Sequence, residues 1–285
     1  MKKFGMVIKT SNPEAVSLGC EIAAWVAARG GEVCTVENVG AVITPSRSVS
    51  AEALADAIEV MIVLGGDGTM LSAARMIGGR RVPILGVNMG GLGFLTAITT
   101  KEVYQLLERI LRDDYAVEER MRLSVNVTRG GTELAAHDVL NDVVIKGLNA
   151  RLIRLETSIN RDFVTTYRSD GLIVATPTGS TAYSLSAAGP ILYPTIHSII
   201  VVPVCPFNFT NRPVVIPDWM TVDVKVCPSP YRIALILDGQ MDVEVECGDT
   251  IHIKRSDKSV YLIRYEGKSY FDILRERFMW EAKDS

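Results

Sequence analysis

Gly65-Gly66-Asp67-Gly68-Thr69 follows five apolar residues, Val60 to Leu64, and leads into a segment with Leu71, Ala74 and Met76 at helical spacing. Glycines there let backbone amides approach a phosphate closely, and a helix N-terminus adds a dipole that favours anions. Asp67 is the odd member. Its charge repels phosphate unless a divalent cation lies between them, or unless its task is to hold a hydroxyl about to attack. Both needs belong to phosphoryl transfer. The same five residues also suit an ordinary strand-to-helix turn with Asp67 as N-cap.

Four other stretches carry polar groups at element ends. Asn88-Met89-Gly90-Gly91-Leu92-Gly93-Phe94 follows the strand-like PILGV, is glycine-rich, and does not satisfy the dinucleotide fingerprint G-x-G-x-x-G. Asn141-Asp142 offers an amide beside a carboxylate, a pairing that suits ribose hydroxyls and an adenine edge, and Asx residues before a strand are also common turn formers. From Asp170 to Ser186 an apolar strand gives way to small hydroxyl residues around Gly179, able to present donors and one aromatic face to a heterocycle, or to form a plain Ser/Thr-rich loop. Asp238-Gly239-Gln240 is foremost a hairpin signal. Gly267-Lys268-Ser269 resembles the end of a Walker A loop, but Leu262 stands where its first glycine belongs. His137, His197 and His252 lack metal-ligand spacing, and the five cysteines form no C-x-x-C pair.

The elements that must position these residues fall into two regions. Residues 1–99 alternate strand-like and helix-like segments, the rhythm of an α/β domain with a parallel sheet. Helices are expected over 13–29 and 51–58 and after Met70, with VCTVENV as a strand; VMIVL, apolar throughout, suits a strand covered on both faces. Residues 100–268 open with a connecting helix over 100–112 and continue, from about Val117 to Tyr265, as short alternating segments between turn residues, an all-β sandwich. Residues 269–285 read as a C-terminal helix. Trp25 and Trp280 fall on the apolar faces of their helices and read as core.

The 285 residues, 48% hydrophobic and 22% charged, describe an ordinary globular protein with ample core. A formal charge of -3 without a Lys/Arg cluster names neither nucleic acid nor an anionic membrane as partner. The apolar stretches 4–8 and 199–204 are too short for a signal core or a membrane span, so the expected address is the cytoplasm.

Together the motifs GGDGT, NMGGLGFL, LNDVVI, SDGLIVATPTGSTAYSLSAAGPIL, NRPVVIP and LDGQ resemble the NAD kinase family in order and spacing over nearly the whole chain. The TPTGSTAYSLSAAGP block is the specific part; GGDGT alone is shared with lipid kinases. The resemblance implies an N-terminal α/β domain, a β-sandwich and a C-terminal helix packing back on the N-terminal domain. It implies NAD bound between the domains, a phosphoryl donor that is ATP or polyphosphate, a Mg²⁺-type ion, NADP as product, and a homodimer or homotetramer. On matching positions Asp67 takes the proton of the ribose hydroxyl, while Gly65, Gly66, Gly68 and Thr69 form the phosphate loop, with Gly68 also beside the substrate. Asn141 and Asp142 contact the nucleoside, Arg168 and Asp170 position the dinucleotide, Thr181, Ala182, Tyr183, Ser184, Leu185 and Ser186 line its pocket, and Gln240 is a further substrate-binding position. Three positions depart from the family pattern: Asp142 replaces the usual glutamate, Gly91 a common arginine, and Phe207 a common histidine.

Overall fold

The computed structural model describes every residue except Leu92, Ala97, 149–151, 265–266 and 281–285. The chain divides into two compact units, residues 1–119 with 260–285, and residues 120–259. The helix Val103–Leu111 lies in the first, because Val103, Leu106, Leu107 and Ile110 form one apolar stripe buried in that unit's core. The position near residue 100 where the sequence rhythm changes is therefore inside the first unit.

In the first unit, parallel strands run in the order Arg47–Val49, Glu32–Val36, Lys3–Ile8, Val60–Gly65 and Ile84–Asn88, and Leu262 adds a parallel pairing to Ile84. Val60–Gly65 is buried at every position, which is why its sequence does not alternate. The helix Pro13–Ala27 opens as its punctuation predicts: the Asn12 side chain accepts the Glu14 and Ala15 amides, with Pro13 in the first turn. VCTVENV is a strand only to Val36; Glu37–Gly40 is a helical turn. The last described helix, Tyr270–Phe278, starts from a capping box between Ser269 and Asp272 and buries Ile273 and Leu274. Trp25 is partly buried, its ring 5.8 Å from that of Tyr104. Trp280 is not core: it follows the helix end at left-handed Met279 and is half-exposed, because the chain leaves the apolar stripe there. Residues 281–285, expected to be helical, lie outside the described residues.

The second unit is a sandwich of antiparallel sheets. One joins Asp162–Ser169, Ile153–Ile159, Val222–Val226 and the segment 250–253. The other runs Val214–Pro217, Ser198–Val204, Gly171–Ala175, Asp142–Gly147, Ile233–Leu237 and Met241–Val245. Leu155, Val224 and Ile251 of the first meet Val143, Leu172 and Leu235 of the second in one core. On the opposite face of the second sheet, Val144, Ile173, Ala175, Ile200 and Val202 are covered by Ala187 and Leu192. The hydroxyl-rich run is thus not a plain loop. It folds into two short helical turns, Thr178–Thr181 and Tyr183–Ser186, in the segment that roofs this face.

Candidate active site

In the first unit the strand Val60–Gly65 ends at the glycine turn, and the helix Asp67–Ile77 begins at once, with Gly66 as an extended N-cap. The helix starts earlier than the expected position after Met70, because Gly68 and Thr69 accept the first turn, with the Thr69 and Met70 amides both on the Gly66 carbonyl. Asp67 is half-buried, and its carboxylate is held from outside the helix. The Phe94 amide donates to Oδ2 at 2.9 Å and the Leu95 amide to Oδ1 at 3.0 Å. The loop supplying those amides is tied by Asn88, whose Nδ2 donates to the Gly91 carbonyl at 2.8 Å and whose Oδ1 accepts the Gly90 amide at 2.7 Å. A Cβ at Gly93 would lie 2.2 Å from Asp67 Oδ1, so a larger residue there would displace the clamped carboxylate. Phe94 in turn rests on the C-terminal helix, its ring 5.8 Å from that of Phe278 and the Arg277 guanidinium 5.8 Å from its centroid. The two glycine-rich loops, ambiguous separately, make one carboxylate clamp. Lys268 is engaged by Glu276 at 2.8 Å.

In the second unit Asn141 and Asp142 stand at the start of the strand Asp142–Gly147, beside the roof turns. The Asn141 carbonyl accepts the Thr176 amide at 2.9 Å, the Leu140 carbonyl accepts the Thr176 hydroxyl at 2.6 Å, and that hydroxyl accepts the Gly179 amide at 3.1 Å. Asn141 Oδ1 is buried with no partner among the described residues. Asp238, at a left-handed φ of 51° in its hairpin, accepts the amides of Leu140, Asn141 and Asp142 at 3.0, 2.7 and 3.3 Å. Burial pushes the Asp238 carboxyl up, opposed by those three donors and by the Arg122 charge. Its D-G pair gave only a turn signal, so its side-chain role was not visible in the sequence.

Asp142 is 3% exposed, and its carboxyl is pushed up to about 7, first by burial and then by the charge of Asp238, while a hydrogen bond from the Tyr183 amide opposes the rise. A folded-state value above the usual carboxylate value means that folding takes up a proton. The resulting cost is absent below about pH 4, grows as pH rises, and is complete above about pH 7. Asp142→Asn is therefore expected to stabilise the fold by an amount that grows over that window, to on the order of 2–4 kcal/mol. Urea unfolding of both proteins at several pH values reads this; a difference that does not vary with pH would remove this charge from the balance.

The remaining expected residues are placed as follows. Thr181, Ala182 and Leu185 are half-buried, Tyr183 and Ser186 exposed, and Ser184 fully buried, so a ligand on this face meets the others before Ser184. Gln240 is exposed in the hairpin after Asp238. Arg168 and Asp170 are not beside Asn141. Gly147 donates to the Asp170 carbonyl, whereas Asp142 pairs with Ala175, which puts Asp170 at the other end of the same strand pair. Those ends are roughly 17 Å apart at about 3.3 Å per residue. The Arg168 guanidinium lies 4.7 Å over the ring of Phe207, in a cleft of about 380 Å³ shared with Thr166, Phe209 and Asn211. Among the described residues no group of three or more His, Cys, Asp or Glu is arranged to hold a metal ion, and no helix is long and apolar enough to cross a membrane.

Comparison with known proteins adds independent findings. Residues 4–115 match a family described as ATP-NAD kinase N-terminal domain, and residues 140–265 the ATP-NAD kinase C-terminal domain. NAD kinase of Geotalea daltonii is 43% identical over 281 residues, covering 98% of this chain and 99% of the relative. NAD kinase of Geobacter sulfurreducens gives the same identity and coverage. An NAD kinase from Archaeoglobus fulgidus, solved in complex with ATP, superposes with a TM-score of 0.77 at 25% identity, over 96% of this chain and 99% of that one. Yeast NADH kinase complexed with NADH gives a TM-score of 0.89 at 23% identity, over 98% of this chain and 87% of that one, a likeness of fold.

Proposed function

The chain belongs to the NAD kinase family, kinases that phosphorylate NAD, and we propose that Asp67 takes the proton of the attacking adenosine-ribose 2'-hydroxyl. The observation that carries this is the clamp: a half-buried carboxylate at a glycine turn, both oxygens fixed by backbone amides from one loop. Phosphoryl transfer asks little covalent work of a protein and much alignment. A carboxylate fixed in this way orients a hydroxyl and accepts its proton late. Gly65, Gly66, Gly68 and Thr69, at the end of the helix Asp67–Ile77, provide close backbone approach and a favourable dipole for the donor's phosphates.

Asn141 and Asp142 hold the adenosine. The unpartnered Asn141 Oδ1 suits an N–H donor on the ligand. Asp142, partly protonated near neutral pH, can donate or accept where the family's glutamate would reach further. Thr181 to Ser186 line the NAD pocket, with Tyr183 as its exposed aromatic, and Gln240 also binds the substrate. Arg168 and Asp170, at the far end of the strand pair, position the dinucleotide of a second copy in a homodimer or homotetramer. Sedimentation at assay concentration reads that assembly, and a monomer would overturn it.

A Mg²⁺-type ion fits these residues only as one carried by the donor's phosphates, since the described residues offer no three-ligand cage. When bound, it neutralises phosphate charge during transfer. The donor is ATP or polyphosphate, and the place of action is the cytoplasm. The deciding experiment supplies purified protein with NAD, Mg²⁺ and, separately, ATP or polyphosphate, and measures NADP. Product with one donor fixes the reaction and its donor; NAD binding without product under either would recast the protein as a dinucleotide sensor.

A further inference from the structure

We propose that Asp238 is the positioning residue of the adenosine subsite: its carboxylate, by collecting three successive backbone amides, sets the direction in which Asn141 and Asp142 meet the nucleotide. Successive amides along an extended strand point to opposite sides. The N–H groups of Leu140, Asn141 and Asp142 instead converge on one carboxylate, at 3.0, 2.7 and 3.3 Å, so the chain is turned just before its strand begins. The return bond closes the arrangement, as the Asp238 amide donates to the Asp142 carbonyl at 3.0 Å. The hairpin residue is itself held in the left-handed region at a φ of 51°, which Asp tolerates better than most side chains.

On the opposite side the same step is fixed by Thr176, whose amide reaches the Asn141 carbonyl and whose hydroxyl reaches that of Leu140. Two elements distant in sequence therefore hold the backbone of residues 140–142, while Asn141 Oδ1 is left unbonded among the described residues. Asp238 has no place in the proton transfer or at the donor phosphates proposed above. Its effect should appear in NAD affinity alone. This inference rests on the proposed adenosine subsite.

The test compares the full-length protein with Asp238→Asn and Asp238→Glu. Asparagine keeps an acceptor for two of the amides and turns an N–H toward the third; glutamate keeps the charge and displaces it. NAD affinity is read by calorimetry, kcat and KM by NADP formation, folding by thermal melting, and the amides of residues 140–142 by hydrogen exchange. The expected result is a KM and Kd for NAD raised about 10- to 10²-fold in both variants, with kcat and the KM for the donor within about threefold of the parent. Faster exchange confined to residues 140–142 is expected alongside. Unchanged NAD affinity in a folded variant overturns the proposal. A fall in kcat and melting temperature without the KM effect, or a variant that does not fold, assigns Asp238 to the fold alone and also overturns it. A parent that binds no NAD overturns the functional reading instead, and exchange at residues 140–142 still decides whether Asp238 fixes that turn.

Discussion

Replacing Asp67 with asparagine lowers the rate of NADP formation by about 10²-fold or more while NAD still binds and the protein still folds. Asparagine is close to isosteric but accepts no proton at neutral pH, so the hydroxyl stays in place and loses its base. One of the two loop amides keeps an oxygen partner; the other faces the new amide nitrogen, which loosens the grip of Phe94 or Leu95 on residue 67. The loss therefore belongs to kcat, with NAD affinity expected within a few-fold of the parent. Steady-state kinetics beside calorimetry separate the two. Full activity in this variant would remove Asp67 from the mechanism, and loss of NAD binding with retained chemistry would make it a binding residue.

The second large effect is expected at Gly179. A methyl group there would lie 2.1 Å from the Asn141 carbonyl oxygen and 2.8 Å from its Cα, both backbone atoms with no rotamer to relieve them. Gly179→Ala must push the roof turn away from residue 141, breaking the bond from its own amide to the Thr176 hydroxyl. Overpacking of this kind costs about 1–3 kcal/mol of stability. A subsite shifted by about 1 Å loses about 10²-fold in productive binding. Melting curves and NAD titration measure both. An alanine variant that binds NAD as tightly as the parent would place the nucleotide away from the 141–179 contact.

Much of this site could be read from residue types. The apolar Val60 to Leu64 run, the glycine turn and the periodicity after it declare a buried strand, a tight turn and a helix, because each is governed by neighbouring residues. The clamp on Asp67 was not legible, because its donors are the backbone amides of Phe94 and Leu95, which every residue but proline possesses. Asp238 was hidden likewise: D-G announced its turn, and its three amide partners lie almost a hundred positions away. The hydroxyl-rich segment suggested a loop by composition, and its two helical turns follow from roofing the apolar face made by Val144, Ile173 and Ile200. Trp280 lies off the apolar stripe because left-handed Met279 ends the helix after Phe278, a stop that helical periodicity does not encode.

The support of Phe94 by Phe278 also fixes an order of events during synthesis. The ribosome makes the glycine turn and its clamp loop early, then the whole second unit, and only afterwards the strand and helix that complete the first unit. At about 5–20 residues per second, Phe278 follows Phe94 by roughly 10–40 s. For that interval Asp67 and the amides that grip it exist on a nascent chain without their aromatic prop. Completion of the clamp is thus a late step, and chains stalled before the final helix are expected to carry the Asp67 loop unbraced.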